Sequence, residues 1–157
     1  MKTSYLLPHK YKTLGWILFI IGLSAGFIFV FNGYEANLLE IDVLSIFNDS
    51  NFFGSEKGFF KIIKNSIVDE LIALAIIVGG LLVGFSKEKI EDEFIYKLRK
   101  DSLVWAIIFN YMVLVFTILF VYDFTFFHVL VFNMFTPLMF FVIRFNFLRL
   151  KSTSYEE

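Results

Sequence analysis

Ile67–Phe85 reads IVDELIALAIIVGGLLVGF: after Asp69 and Glu70 it carries no charged side chain. Three further stretches share this character. They are Thr13–Phe31 (TLGWILFIIGLSAGFIFVF), Leu103–Val121 (LVWAIIFNYMVLVFTILFV) and Phe124–Ile143 (FTFFHVLVFNMFTPLMFFVI). Each holds the roughly 20 residues that a helix rising 1.5 Å per residue needs to cross a hydrocarbon core of about 30 Å. The sequence therefore predicts an all-α integral membrane protein, a four-helix antiparallel bundle forming one domain over residues 1–157.

Composition supports that solvent. The 157 residues are 58% hydrophobic, with a mean hydropathy of +0.73, against about 45–50% apolar in soluble proteins. Four spans leave only short loops and tails, which excludes a soluble catalytic domain. The 23 phenylalanines read as lipid-facing and helix-packing residues rather than an aromatic ligand site. Cysteine is absent, which excludes disulfides, thiolate chemistry, Cys-ligated metals and a lipidated cysteine. The segment MKTSYLLPHKYK precedes the first run without a clear small-residue cleavage pattern, so that run is expected to stay as a span.

Lys and Arg set the direction. With the N-terminus inside, the inner segments hold Lys2, Lys10, Lys12, Lys87, Lys89, Lys97, Arg99, Lys100, Arg144, Arg149 and Lys151, leaving only Lys57, Lys61 and Lys64 outside. Acidic residues divide almost evenly, as expected when only positive charge is sorted. Both termini are expected in the cytoplasm, and the compartment is a bacterial inner membrane. The net charge of −1 gives no sign of direct nucleic-acid binding.

Between the first two runs, the outer segment 32–66 is apolar enough to lie on a surface. Leu39, Val43, Ile46 and Phe47 fall at helical spacing, while Leu39, Ile41 and Val43 also alternate. A short interfacial helix is the expectation, since no partner strand is evident. Asn48–Asn51 reads as a turn. From Ser55, a possible N-cap, Phe59, Phe60, Ile62, Ile63 and Ile67 suggest an early start to the second span. The inner loop 86–102 is charged, with no Gly or Pro, and Ile90, Phe94, Ile95 and Leu98 form one apolar stripe. Glu88, Glu91, Asp92 and Glu93 crowd its start and Lys97, Arg99 and Lys100 its end, which suits a helix dipole, and Glu93 stands four residues before Lys97. This cytoplasmic helix is expected to run into the third span, with a tight turn near Asp123–Thr125 before the fourth.

Inside the runs, Gly22 and Gly26, and Gly80 and Gly84, form two GxxxG motifs. These could pack spans one and two together or pair with a second copy, making a homo-oligomer. Asn110, Thr117 and Asn133 suggest interhelical hydrogen bonds, or else a polar path, and Pro137 should kink the fourth span. Asp69, Glu70, Asp123 and His128 map near the outer boundary. They form a candidate polar cluster for a cation or a proton, although helix starts and a turn explain the carboxylates equally. No Walker loop, GxSxG or zinc motif occurs, so no catalytic residue, cofactor or metal is expected. His9 and His128 fall on opposite sides, which disfavours a haem held by both.

The stretch SKEKIEDEFIYKLRKDSL from Ser86 to Leu103, with Asn110-Tyr111, resembles a motif of small four-span membrane proteins of Bacteroidota. Leu7-Pro8-His9-Lys10-Tyr11-Lys12 and Phe132–Thr136 with Arg144–Asn146 fit the same group. More loosely, the chain resembles small bacterial membrane proteins encoded beside helix-turn-helix regulators. That resemblance implies a soluble cytoplasmic regulator, or a second membrane subunit, as partner. Glu91, Asp92, Glu93, Lys97, Arg99 and Lys100 of the inner helix are the expected docking residues. The leading function is thus a non-enzymatic adaptor. The alternative is a small transporter or channel subunit with a polar path between spans.

Overall fold

A computed structural model describes residues 5–32, 40–49 and 57–153. Its elements in chain order are α1 (Lys10–Phe31), β1 (Glu40–Asp49), β2 (Lys57–Ser66), α2 (Val68–Phe85), α3 (Glu93–Phe120), α4 (Asp123–Asn133) and α5 (Thr136–Thr153). Three helices, α1, α2 and α3, are long and apolar enough to cross a membrane, and α4 with α5 passes the same test as a bent pair. Of their most apolar windows only 17%, 28% and 11% are buried within the protein. Most of that apolar surface faces outward. In water each Å² would cost about 25 cal/mol.

The chain divides into two compact units, Leu23–Ala73 and the remainder, with the boundaries inside α1 and α2. In the larger unit α1 and α2 run antiparallel through a notch of glycines. A Cβ on Gly79 would lie 2.5 Å from the Phe19 nitrogen, and one on Gly15 would lie 2.8 Å from the Val83 nitrogen. Gly22 likewise abuts the Ile76 backbone. Gly80 and Gly84 face elsewhere, receiving Leu138 and Phe141 of α5. Consecutive helical residues point about 100° apart, so Gly79 and Gly80 serve two different neighbours. The expected pairing of the two GxxxG motifs is corrected accordingly: Gly22 does face α2, but the 80/84 motif seats α5. Phe141, Val142 and Phe145 of α5 are buried with Val83 and Ala106, and Phe109 stacks on Phe140 at 4.5 Å between ring centroids.

α3 is one unbroken helix of 28 residues, as the sequence predicts for the end of the inner loop and the third span. Its start is later than expected. Residues 86–92 are not helical, and Asp92 caps α3 by accepting from the Ile95 N–H at 2.8 Å. Asp92→Ala removes that cap and should cost about 1 kcal/mol, read as a lower melting temperature in detergent. An unchanged melt would show that α3 does not depend on it.

The link to α4 is only Val121–Tyr122, and Asp123 takes a left-handed φ of 59°, which Asp tolerates better than most residues. The fourth apolar run is broken at Met134–Phe135, where α4 and α5 meet at 43°. Pro137 explains the site: its ring would clash with the carbonyl four residues earlier, and that residue, Asn133, is the last of α4.

In the smaller unit the outer segment is not an interfacial helix. β1 and β2 form an antiparallel hairpin in which Glu40 pairs with Ser66, Asp42 with Lys64 and Leu44 with Ile62. The strand expected to be missing is 57–66, which the sequence reading gave to an early second span. Leu39, Ser55 and part of the 48–51 turn lie outside the described residues.

Candidate functional site

The beginnings of α1 and α3 and the ends of α2 and α5 meet at one end of the larger unit, and ionised side chains fill the junction. The chain before α1 lies beside the segment after α2: Leu7 N–H donates to the Phe85 carbonyl and Lys87 N–H to the Leu7 carbonyl, both at 2.9 Å. His9 Nδ1 donates to the Lys87 carbonyl at 2.8 Å. This clamp places Glu88 between Lys12 and Arg149, and each cation holds one of its carboxylate oxygens. Lys12 is only 5% exposed, and Glu88 is also buried.

A second pair lies next to the first. Arg99, 3% exposed, donates to Glu91 Oε1 at 2.5 Å and to Oε2 at 3.2 Å, and also to the Ser86 carbonyl at 3.3 Å. Glu91 accepts in addition from the Glu88 N–H at 2.9 Å. Burial alone would raise the Glu91 carboxyl. The Arg99 hydrogen bonds, the Glu88 amide and the Arg99 charge outweigh it, holding the group below its ordinary range. Phe145 lies between the two pairs, with Lys12 Nζ 5.8 Å and the Arg99 guanidinium 5.0 Å from its ring centroid. Arg144 extends the linkage, pairing with Asp101 at 3.2 Å over the Trp105 ring.

Three cations and two carboxylates thus share a small volume. All four carboxylate oxygens of Glu88 and Glu91 accept hydrogen bonds from named donors, so neither group is poised as a base or nucleophile. The buried Ser86 and Ser102 hydroxyls, Arg99 Nε and Asn146 Oδ1 have no hydrogen-bond partner. Such atoms cost about 1–3 kcal/mol each. The arrangement can therefore fix the relative position of four helix ends and present what lies on their outer side.

The expected docking residues separate here. Glu91 and Arg99 turn inward to each other, and Asp92 is the cap of α3. Glu93, Lys97 and Lys100 are exposed. The apolar stripe divides in the same way: Ile95 is buried and Leu98 half-buried, while Ile90 and Phe94 are 78% and 52% exposed.

The other candidates make local contacts. Thr117 donates to the Val113 carbonyl of its own helix at 2.9 Å, not across helices as expected. The side-chain oxygens of Asn110 and Asn133 are buried without a hydrogen-bond partner. Gly26 is half-buried. In the outer set, Glu70 accepts from Asn65 at 2.8 Å within the smaller unit. In the larger unit His128 Nδ1 donates to the Phe124 carbonyl at 2.8 Å. Asp69 and Asp123 each lie in the first turn of a helix. No group of three His, Asp or Glu side chains suited to a metal ion occurs among the described residues.

Lys12, Glu88 and Arg149 were not candidates from sequence. The signal that could have found them is the charge sorting itself, which puts the ends of three apolar runs on one side. No protein-family model, curated protein or solved structure matches the chain.

Proposed function

We propose that the chain is a non-enzymatic adaptor of a bacterial inner membrane, a four-span antiparallel bundle with both termini inside, that docks a soluble cytoplasmic partner at the start of α3. The observation that carries this reading is the exposure of Ile90 and Phe94 among Glu93, Lys97 and Lys100. From Asp101, which marks the charged boundary, Phe94 lies about 10 Å further along a helix rising 1.5 Å per residue. The headgroup layer beyond each hydrocarbon face is about 5–8 Å thick. An upright α3 therefore holds Phe94 past the lipid, where an exposed apolar pair flanked by charge suits a protein surface. The ion-paired junction behind it supplies a rigid base.

The test is a photo-crosslinker at residue 97 in native membranes, with Glu93→Lys/Lys100→Glu as the variant. These residues lie outside the junction, so the variant should insert normally. The expected result is a discrete soluble adduct, reduced at least tenfold in the variant. Equal recovery of every adduct would refute docking at this surface.

A transporter or channel subunit is the second reading, favoured by the unpartnered buried oxygens of Asn110 and Asn133 together with the bend at Pro137. Asn110→Leu/Asn133→Leu should then abolish solute or ion flux in vesicles, whereas an adaptor would retain partner binding and have no flux to lose.

A further inference from the structure

The hairpin sorts its charges by strand. β1 carries Glu40, Asp42 and Asp49 and no base, while β2 carries Lys57, Lys61 and Lys64 and no acid. Within the chain this sorting matches acid to base in two register pairs, Asp42 with Lys64 and Asp49 with Lys57. It also gives the two outer edges of the sheet opposite character. The sheet has two strands, and Leu44, Ile46, Phe60 and Ile62 on them are exposed. A lone two-stranded hairpin is at best marginally stable in water, and three or more strands with an apolar face are needed for independent stability. Open edges are ready to pair with another chain.

We infer that the hairpins of several copies join edge to edge, β1 of one copy beside β2 of the next, into a closed ring of three or more copies. Charge decides the occupant: β1 against β1 sets acids together and β2 against β2 sets bases together, and like charges directly opposite destabilise a strand pair. β1 against β2 of another copy repeats the acid–base matching that the hairpin uses internally. Direction agrees. Copies inserted the same way are related by rotation about the membrane normal, so all β1 strands share one sense relative to it and all β2 strands the opposite, and a β1–β2 contact between copies is antiparallel. Two unlike edges make a head-to-tail contact, which generates a ring when the rotation closes. Two copies give only four strands, too few to curve into a closed sheet, so the ring needs three or more. Assembly also adds apolar neighbours to Leu44 and Ile62, which lie directly opposite each other.

The inference takes only the shared orientation from the membrane reading above. Carbonate-resistant membrane association of the same sample distinguishes failed insertion from failed assembly. The chain has no cysteine, so single-cysteine copies report contacts without background. Copies bearing Asp42→Cys and copies bearing Lys64→Cys, differently tagged and co-expressed, should give a mixed disulfide dimer at least fivefold over either self-pair. Leu44→Cys with Ile62→Cys should do the same two residues along the register. Subunit counting by single-molecule photobleaching of the unmodified, tagged protein in native membranes should give three or more. A count of one or two overturns the ring, and so do self-pairs equal to or exceeding the mixed pairs at both positions.

Discussion

Glu88→Ala should destabilise the protein by about 3–5 kcal/mol, because it leaves the buried Lys12 ammonium without its partner and removes the anion that Arg149 reaches. The penalty belongs to the abandoned charge rather than to the lost attraction. A second variant checks that origin. Lys12→Met/Glu88→Leu replaces the pair with apolar groups of similar volume and should recover most of the loss, since neutral substitution of a buried pair often costs little. Thermal or denaturant unfolding in one detergent measures both. A Glu88→Ala loss below about 1 kcal/mol would mean that water reaches Lys12 and that the junction is looser than its burial indicates. A double variant no better than the single would place the stabilisation in the pair itself.

Gly79→Ala has the next largest expected effect, about 3 kcal/mol. Its methyl would meet the nitrogen and Cα of Phe19 at 2.5 and 2.8 Å and the Gly15 carbonyl at 3.0 Å. These are backbone atoms of the facing helix, so relief requires α1 and α2 to move apart. Gly80→Ala meets the Leu138 side chain, which can turn to another rotamer, and should cost about 1 kcal/mol or less. The two glycines are adjacent in sequence and identical in propensity, so the difference isolates the contact. Equal losses would show that helix propensity, not close approach, governs the notch.

Much of the architecture was legible because hydrocarbon thickness imposes a length that the sequence must display. The runs at 13–31, 67–85 and 103–121 fall on α1, α2 and α3, and the bend in the fourth run follows from one proline. The hairpin was not legible for a local reason. Phe59, Phe60, Ile62 and Ile63 sit on consecutive pairs of positions, a pattern that fits one helix face as well as a strand. Pairing with 40–49 is a long-range choice that periodicity does not encode. The proposed docking surface was half legible. Position along α3 was readable, but whether Arg99 faced Glu91 or solvent depended on where Ser86 and Phe145 arrive. Those residues lie on other elements, and the same is true of Lys12, Glu88 and Arg149.

The junction also orders events in time. Lys12 and Glu88 are 76 residues apart, and Glu88 and Arg149 another 61. At about 5–20 residues per second of synthesis, roughly 3–12 s separate the appearance of Glu88 from that of Arg149. During that interval Lys12 and Glu88 can meet, but the Phe145 ring and the Arg149 charge that complete their enclosure have not been made. A nascent chain therefore passes through a stage with its charged end ajar, and the last helix to be made closes it. Until Arg149 emerges, the Lys12–Glu88 pair is more open to water than it is in the finished molecule.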